Sequence, residues 1–145
     1  MKVVLQRVSR GAVSVGEEEV ASIESGVVLL VGIGPADDEE KVDWLAHKIA
    51  TLRVFEDDEG KTNLSLQDVG GEALVISQFT LYADVSKGRR PSFTHAAAPE
   101  IAEPLVAHFA EELQSQGIPT KSGEFGAHML VEIENDGPVT ILLER

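Results

Sequence analysis

The residues best equipped for chemistry are Ser77, Gln78, Phe79 and Thr80, which follow directly on the apolar run Leu74, Val75, Ile76. That run, bounded by Gly70 and Gly71, predicts a buried strand. At its end hydroxyls, an amide and backbone N–H groups leave the ladder, where sheets usually carry binding and catalysis. Taken alone, the segment reads as a strand running into a polar turn. Ser77 or Thr80 could serve as a nucleophile, but either needs a base within hydrogen-bond reach and donors for an oxyanion. The histidines His47, His95, His108 and His128 sit in no recognisable motif, and there is no G-x-S-x-G elbow. His47 and His108 fall on expected helices and His128 on an expected strand, in ordinary surface or core-edge roles. No HExxH or comparable ligand spacing exists, and His108 with Glu111 reads as a helical i,i+3 contact, not half a metal site.

Several elements must position this segment. Lys2 to Val8 alternates as a strand, with Val3, Leu5 and Arg7 on one face and Val4, Gln6 and Val8 on the other. An arginine on the Val3/Leu5 face must snorkel to an edge, pair with an acid or donate to backbone carbonyls, and snorkelling is the expected outcome. Gly11 and Gly16 punctuate a second strand, Ala12 to Val15, before a polar turn at Glu17 to Glu19. Val20 to Ile23 and Val27 to Ile33 then complete an antiparallel meander. Gly32-Ile33-Gly34-Pro35 is not a nucleotide loop, because Asp37 stands where the third glycine of GxGxxG belongs. Asp37 or Asp38 caps a helix whose apolar face is Val42, Leu45, Ile49 and Leu52, with Trp44 packing at its flank.

Arg53 to Phe55 reads as a short strand, and EDDEGKTN as a turn near Gly60, since it lacks the ligand pattern of an EF-hand. A second helix over Glu100 to Gln116 carries Ile101, Leu105, Phe109 and Leu113 on one stripe, with Pro104 tolerable only in the first turn. Gly117 and Pro119 stop it. Ile118 to Ser122, Ala127 to Glu134 and Val139 to Leu143 return to strand. Strands, helix, strands, helix, strands without regular βαβ alternation predict an α+β fold on a largely antiparallel sheet system.

At 145 residues, 43% hydrophobic and 26% charged, the chain fits one globular domain, residues 1 to 145. It has no cysteine, which excludes disulfides and thiolate metal sites and fits a reducing compartment. Val27 to Val31, the longest apolar run, is too short to span a bilayer, which points to the cytoplasm. The net charge of −13 argues against a general nucleic-acid binder, because phosphate binding draws on Lys and Arg. The acids cluster at Glu17 to Glu19, Asp37 to Glu40 and Glu56 to Glu59. Lys87, Arg89 and Arg90 form the one compact basic patch, either a positive face beside the pocket or a solvated loop.

A second informative stretch is NDGPVT at Asn135 to Thr140, preceded by the alternating Met129, Val131, Ile133. Behind the opening MKVVLQRV, the order SQFTL at 77 to 81, KGRRPSF at 87 to 93, GEFGAHM at 123 to 129 and NDGPVT at 135 to 140 resembles the D-aminoacyl-tRNA deacylase (D-tyrosyl-tRNA(Tyr) deacylase) family over the whole chain.

The resemblance implies a three-layer β-β-α arrangement with barrel-like sheets and two main helices, assembled as a homodimer. It implies hydrolysis of the ester bond of D-aminoacyl-tRNA, with glycyl-tRNA as a second substrate, because glycine has no side chain for a chiral filter to strike. The terminal ribose 2′-hydroxyl of the substrate would assist, with no cofactor or metal. Backbone N–H groups of Phe79 and Thr80 would then hold the ester carbonyl, Ser77 and Gln78 would shape the floor, and Thr80 could participate directly. Gly137-Pro138 would be cis, in place of the trans turn that composition alone predicts, and would reach into the partner subunit's pocket as a wall against L side chains. Arg7 would brace that motif and Met129 would line the pocket. Lys87, Arg89 and Arg90 would be available for tRNA contact. Two other readings stay open on the residues themselves: a non-catalytic RNA-end binding module, and a small-ester hydrolase with Thr80 as nucleophile.

Overall fold

The computed structural model describes residues 1–145. Its organising element is a long strand β1 (Lys2–Val15), flanked on one edge by β2 (Glu18–Ile23) and β3 (Gly26–Gly32) and on the other by β8 (Met129–Glu144). The expected break at Gly11 is absent. Gly11 is there because the sheet packs against it: a Cβ would lie 2.6 Å from Val28 Cγ2. The expected meander is also corrected, since β2 and β3 do not pair with each other. Both run antiparallel to β1 in one register, Gly11 facing Ile23 and Val8 facing Gly26, so together they act as one interrupted strand.

Beyond β3 the sheet turns parallel. β6 (Glu72–Ser77) pairs with β3, and β7 (Thr120–Ser122) pairs with β6, giving the order β2-β1-β3-β6-β7 with β8 on β1. Parallel neighbours need crossovers. The first contains α1 (Glu39–Thr51), a small hairpin of β4 (Arg53–Glu56) and β5 (Thr62–Ser65), and the single turn α2 (Leu66–Val69). The second contains α3 (Pro99–Ser115). Neither β5 nor α2 was legible from local pattern, although the turn at Gly60 is present, with φ +74 and the Asp57 carboxylate accepting from the Glu59 and Lys61 N–H groups.

The helices cover one face of the sheet. Val42, Leu45 and Ile49 of α1 and Leu105, Phe109 and Leu113 of α3 pack with Val3, Leu5, Leu29 and Val75 in the larger core. Each fully buried side chain of this size contributes about 1.5–3 kcal/mol. On the other face the sheet curls, so that Met129, Val131 and Ile133 of β8 close over Val28, Leu74 and Ile76 in a second core. The result is the expected α+β fold of three layers, two of sheet and one of helix. No helix is long and apolar enough to cross a membrane.

The helix ends follow their local chemistry. Asp38 caps α1 by accepting from Lys41 N–H at 3.1 Å, and Gly117, with φ +83, ends α3. Two expectations for α3 fail. Pro104 is the sixth residue of the helix, not in its first turn. It is tolerated because it and Glu100, whose carbonyl it leaves without an N–H, both face solvent. Ile101 is 43% exposed, and the inward stripe runs through Ala102, Leu105, Val106, Phe109 and Leu113 instead.

Candidate active site

β6 ends where its partner ends. Ser77 faces Val31, and Gln78 N–H makes the last ladder bond to Val31 O at 2.7 Å. The chain then enters a 3-10 helix, Phe79–Tyr82, in which Leu81 N–H bonds Gln78 O. The N–H groups of Phe79 and Thr80 precede that first bond, so they have no intrahelical acceptor. A cavity of about 210 Å³ opens beside them, lined by Ile76, Ser77, Gln78 and Phe79 on one side and by Gly126, Ala127, His128, Met129 and Val131 on the other. Phe79 is 53% exposed and meets Phe93 edge to face, with centroids 5.0 Å apart. A half-exposed aromatic pair at a cavity mouth is suited to packing against a ligand.

The side chains give little support to a protein nucleophile. Thr80 Oγ1 accepts from Gln78 Nε2 at 2.5 Å, and an amide cannot take its proton. Thr80 is exposed and lies outside the cavity lining. The histidines are engaged elsewhere or unpaired. His47 meets Gln116 at 3.2 Å, and His108 meets Asp43 of α1 at 2.7 Å. This replaces the expected contact with Glu111, because α1 brings an acid across from the neighbouring helix. His128 precedes β8 instead of lying on a strand, and lines the cavity without a hydrogen bond to Ser77 or Thr80.

The NDGPVT stretch does not separate two strands, as its composition predicts. β8 runs through it: Asn135 faces Val8 and Thr140 faces Gln6, so residues 136 to 139 bulge out opposite Arg7 alone. The Gly137-Pro138 peptide is cis. Asn135 closes the bulge, its Oδ1 accepting from Val139 N–H at 2.8 Å and its Nδ2 donating to Val139 O at 3.2 Å.

Arg7 does not snorkel. Only 7% exposed, it donates from Nε to Asp136 O at 2.9 Å and from Nη1 to Val54 O at 2.7 Å, with Glu56 at 3.7 Å. Two fixed carbonyls satisfy its planar fork, which makes the inward direction tolerable. Gly137 and Pro138 are exposed, and their carbonyls receive no side-chain hydrogen bond.

Within one chain these two regions stay apart. Gly137, with Arg7 and Asp136, lines a different cavity of about 290 Å³ that shares no residue with the one beside Phe79. Met129 sits with Phe79. Lys87, Arg89 and Arg90 project on an exposed loop whose neck is a pair of bonds between Asp84 and Ser92, at 2.8 and 2.9 Å, next to Phe93. None of the three makes an ion pair.

Sequence reasoning missed Asp37 and Tyr82. Asp38, not Asp37, caps α1. Asp37 is instead buried at the base of the Phe79–Tyr82 turn, accepting from Tyr82 OH at 3.2 Å. Burial raises the Asp37 pKa, but the Met1 ammonium, the Gly34 N–H and Lys41 outweigh it and hold the carboxyl below its ordinary value. Burial, and then the Asp37 charge, push the Tyr82 phenol upward, so it remains a donor. No local signal marks the pair, since Asp37 and Tyr82 meet only through tertiary packing across 45 residues.

The chain resembles known proteins along its full length. It is 60% identical over 144 residues to a D-aminoacyl-tRNA deacylase of Thermomicrobium roseum, covering 99% of this chain and 94% of that one. It is 55% identical over 145 residues to a D-aminoacyl-tRNA deacylase of Limosilactobacillus reuteri, covering all of both. Among solved structures, one described as c-Myc DNA Unwinding Element Binding Protein superposes with a TM-score of 0.94 at 44% identity, over 100% of this chain and 99% of that one. A probable eukaryotic D-amino acid tRNA deacylase shares the fold, at a TM-score of 0.85 and 19% identity over 98% of this chain and 97% of that one. With residues 4–144 matching the D-Tyr-tRNA(Tyr) deacylase family model, the chain belongs to that family.

Proposed function

We propose that the ester bond of D-aminoacyl-tRNA, which members of this family hydrolyse, is cleaved here by backbone positioning, without a protein nucleophile. The observation that carries this reading is the pair of N–H groups at Phe79 and Thr80 left without an intrahelical acceptor beside a cavity in which no hydroxyl is hydrogen-bonded to a base. The two donors receive the carbonyl oxygen as it gains charge, and preorganised donors of this kind act most strongly in the transition state. Water adds to the carbonyl carbon, the bond to the ribose 3′-oxygen breaks, and that oxygen leaves with a proton while the ribose 2′-hydroxyl orients the attack. Ser77 and Gln78 shape the floor, and Met129 closes the side.

Selection against L forms needs a wall, and Gly137-Pro138 does not line this chain's own cavity. The exposed pair suits insertion into the cavity of a second copy, where its carbonyls would meet the substrate α-amino group and leave no room for an L side chain. Glycyl-tRNA passes such a filter. The exposed Leu130 and Leu142 on the outer face of β8, at 66% and 63%, support a homodimer that covers them. Lys87, Arg89 and Arg90, unpaired in an otherwise acidic chain, are the natural contact for tRNA phosphates, and a cytoplasmic location follows from that substrate.

The test is single-turnover release of amino acid from D- and L-aminoacyl-tRNA. Wild type releases only the D form, and Thr80→Ala, which removes the hydroxyl but keeps the N–H, retains D-specific release. Loss of release in folded Thr80→Ala would make the hydroxyl the reacting group. Equal cleavage of D and L would remove the filter, and cleavage of neither would leave a binding module.

A further inference from the structure

The turn that carries Phe79 and Thr80 is only four residues long, and its local bonds, the i→i+3 pairs and Gln78 Nε2 to Thr80 Oγ1 at 2.5 Å, do not tie it to the rest of the fold. Its direction must be set from outside. At its start, Gln78 N–H is tied to Val31 O at 2.7 Å. At its end, the Tyr82 hydroxyl donates to Asp37 Oδ2 at 3.2 Å. The Asp37 side chain is 4% exposed and collects three more donors: Gly34 N–H at 2.6 Å, Lys41 Nζ at 2.9 Å and the Met1 α-amino group at 2.6 Å. A buried carboxylate with this many donors is a fixed point.

The packing is equally close. A Cβ on Gly34 would come within 2.8 Å of the Tyr82 hydroxyl and 2.9 Å of its ring, and one on Gly32 would lie 3.0 Å from Gln78 O and 3.1 Å from Leu81 Cβ. Two glycines of β3 and the segment after it therefore let the turn sit directly on the backbone. Neither Asp37 nor Tyr82 lines the cavity.

We propose that Asp37 and Tyr82 are positioning residues for deacylation, setting the direction in which the Phe79 and Thr80 N–H groups point. The inference rests on the reading of those two N–H groups as the oxyanion donors. A donor pair aimed wrongly by a fraction of an ångström still lets substrate bind but no longer meets the charge that develops in the reaction. The effect falls on the chemical step, not on affinity.

Tyr82→Phe removes the hydroxyl and keeps the ring, so the packing against Gly34 and the fold are retained. Gly34→Ala is a second variant that displaces the ring while keeping the hydroxyl. For each, the ¹⁵N–¹H resonances of Phe79 and Thr80 are followed alongside single-turnover release from D-aminoacyl-tRNA. In both variants the two amide resonances shift, the rate constant of release falls roughly tenfold or more, and the half-saturating enzyme concentration changes less than about twofold. Amides that stay in place overturn the positioning role, whatever the rate. Shifted amides with an undiminished rate overturn it too, and also sink the donor reading beneath it. A fall in affinity with an unchanged rate constant would make the tie merely structural. Wild type inactive on D-aminoacyl-tRNA would instead refute the reading of the site, a result visible before any variant is made.

Discussion

Two short backbone segments leave their ladders in this protein, and each is held from behind by a buried charge of opposite sign. The Phe79–Tyr82 turn follows the last bond of β6 and presents N–H groups; its support is the carboxylate of Asp37, reached through Tyr82. The bulge at residues 136 to 139 interrupts β8 and presents carbonyls; its support is the guanidinium of Arg7, which takes up Asp136 O directly. The signs follow from what each segment leaves over. Arg7 consumes a carbonyl behind the bulge and leaves the next two without a side-chain donor, whereas Asp37 consumes side-chain and flanking donors and leaves the turn's own N–H groups unspent. Burying a charge is tolerable only where it is partnered, and both charges are: Asp37 accepts from four donors, and Arg7 donates to two carbonyls with Glu56 at 3.7 Å. The difference lies in reach. Arg7 touches the backbone it orients, but Asp37 acts through one phenol.

The largest effect comes from breaking the direct contact. Arg7→Ala strands Val54 O in a buried position, leaves the half-buried Asp136 O without its donor, and costs about 3 kcal/mol of stability, read as a lowered urea midpoint. In the folded fraction, release from L-aminoacyl-tRNA rises relative to D, and the preference falls by about tenfold or more, as expected when a wall is displaced by an ångström. Arg7→Lys does not rescue it, because an ammonium cannot span two fixed carbonyls as the guanidinium does. An unchanged D-to-L ratio in folded Arg7→Ala would mean that the bulge is not held by Arg7 or is not the selector.

Both segments were legible as places, and only one with its support: Arg7 behind Gly137-Pro138, from the family resemblance and not from local pattern. The run Leu74 to Ile76 ending in SQFT announced a strand terminus, and the alternation of Val3, Leu5 and Arg7 put the arginine inward before its partners were known. What the alternation could not supply was Val54 and Asp136 as acceptors, since β4 and β8 reach Arg7 only through tertiary pairing. The same limit explains β8. NDGP has turn composition, and local propensity splits the strand there, but pairing with β1 on both sides keeps it continuous. The parallel pairing of β6 with β3 was hidden because a crossover containing a helix, a hairpin and a further turn separates them. Asp37 looked like one of two equivalent caps. Only the fold shows that its neighbour caps and that Asp37 turns inward to meet a tyrosine 45 residues away.

Acid sharpens the comparison, because of the two buried charges only the carboxylate can be titrated. The Asp37 pKa is held below its ordinary 3.8, so its contribution to stability is present above that value and is lost as pH falls through the lower folded value. Asp57, Asp68 and Asp84 are depressed as well, by hydrogen bonds from Lys61 and from Ser65 and Ser86 respectively, and act in the same direction. Asp37→Asn is therefore less stable than wild type at neutral pH and shows a flatter decline in urea midpoint between pH 6 and pH 3. The loss at neutral pH is smaller than that of Arg7→Ala, since the amide still offers Tyr82 and Gly34 an acceptor. An equally steep acid limb in Asp37→Asn would assign the acid sensitivity to the other three carboxylates.

The smallest effect is expected where neither support is touched. Lys87, Arg89 and Arg90 stand on the Asp84–Ser92 neck, beside Phe93 and hence beside the turn, but they contact no part of either buried charge. Replacing one of them with alanine removes at most one phosphate contact, lowering the slope of log K against log salt by about 0.7–0.9 and weakening tRNA binding modestly at low salt. The D-to-L ratio and the single-turnover rate constant at saturation stay at the wild-type values, because the proposed mechanism assigns selection and chemistry to the two backbone segments. A changed ratio in any of the three variants would mean that the loop presses on the Phe79–Phe93 pair and through it on the turn, which would join the basic loop to the donor side of the comparison.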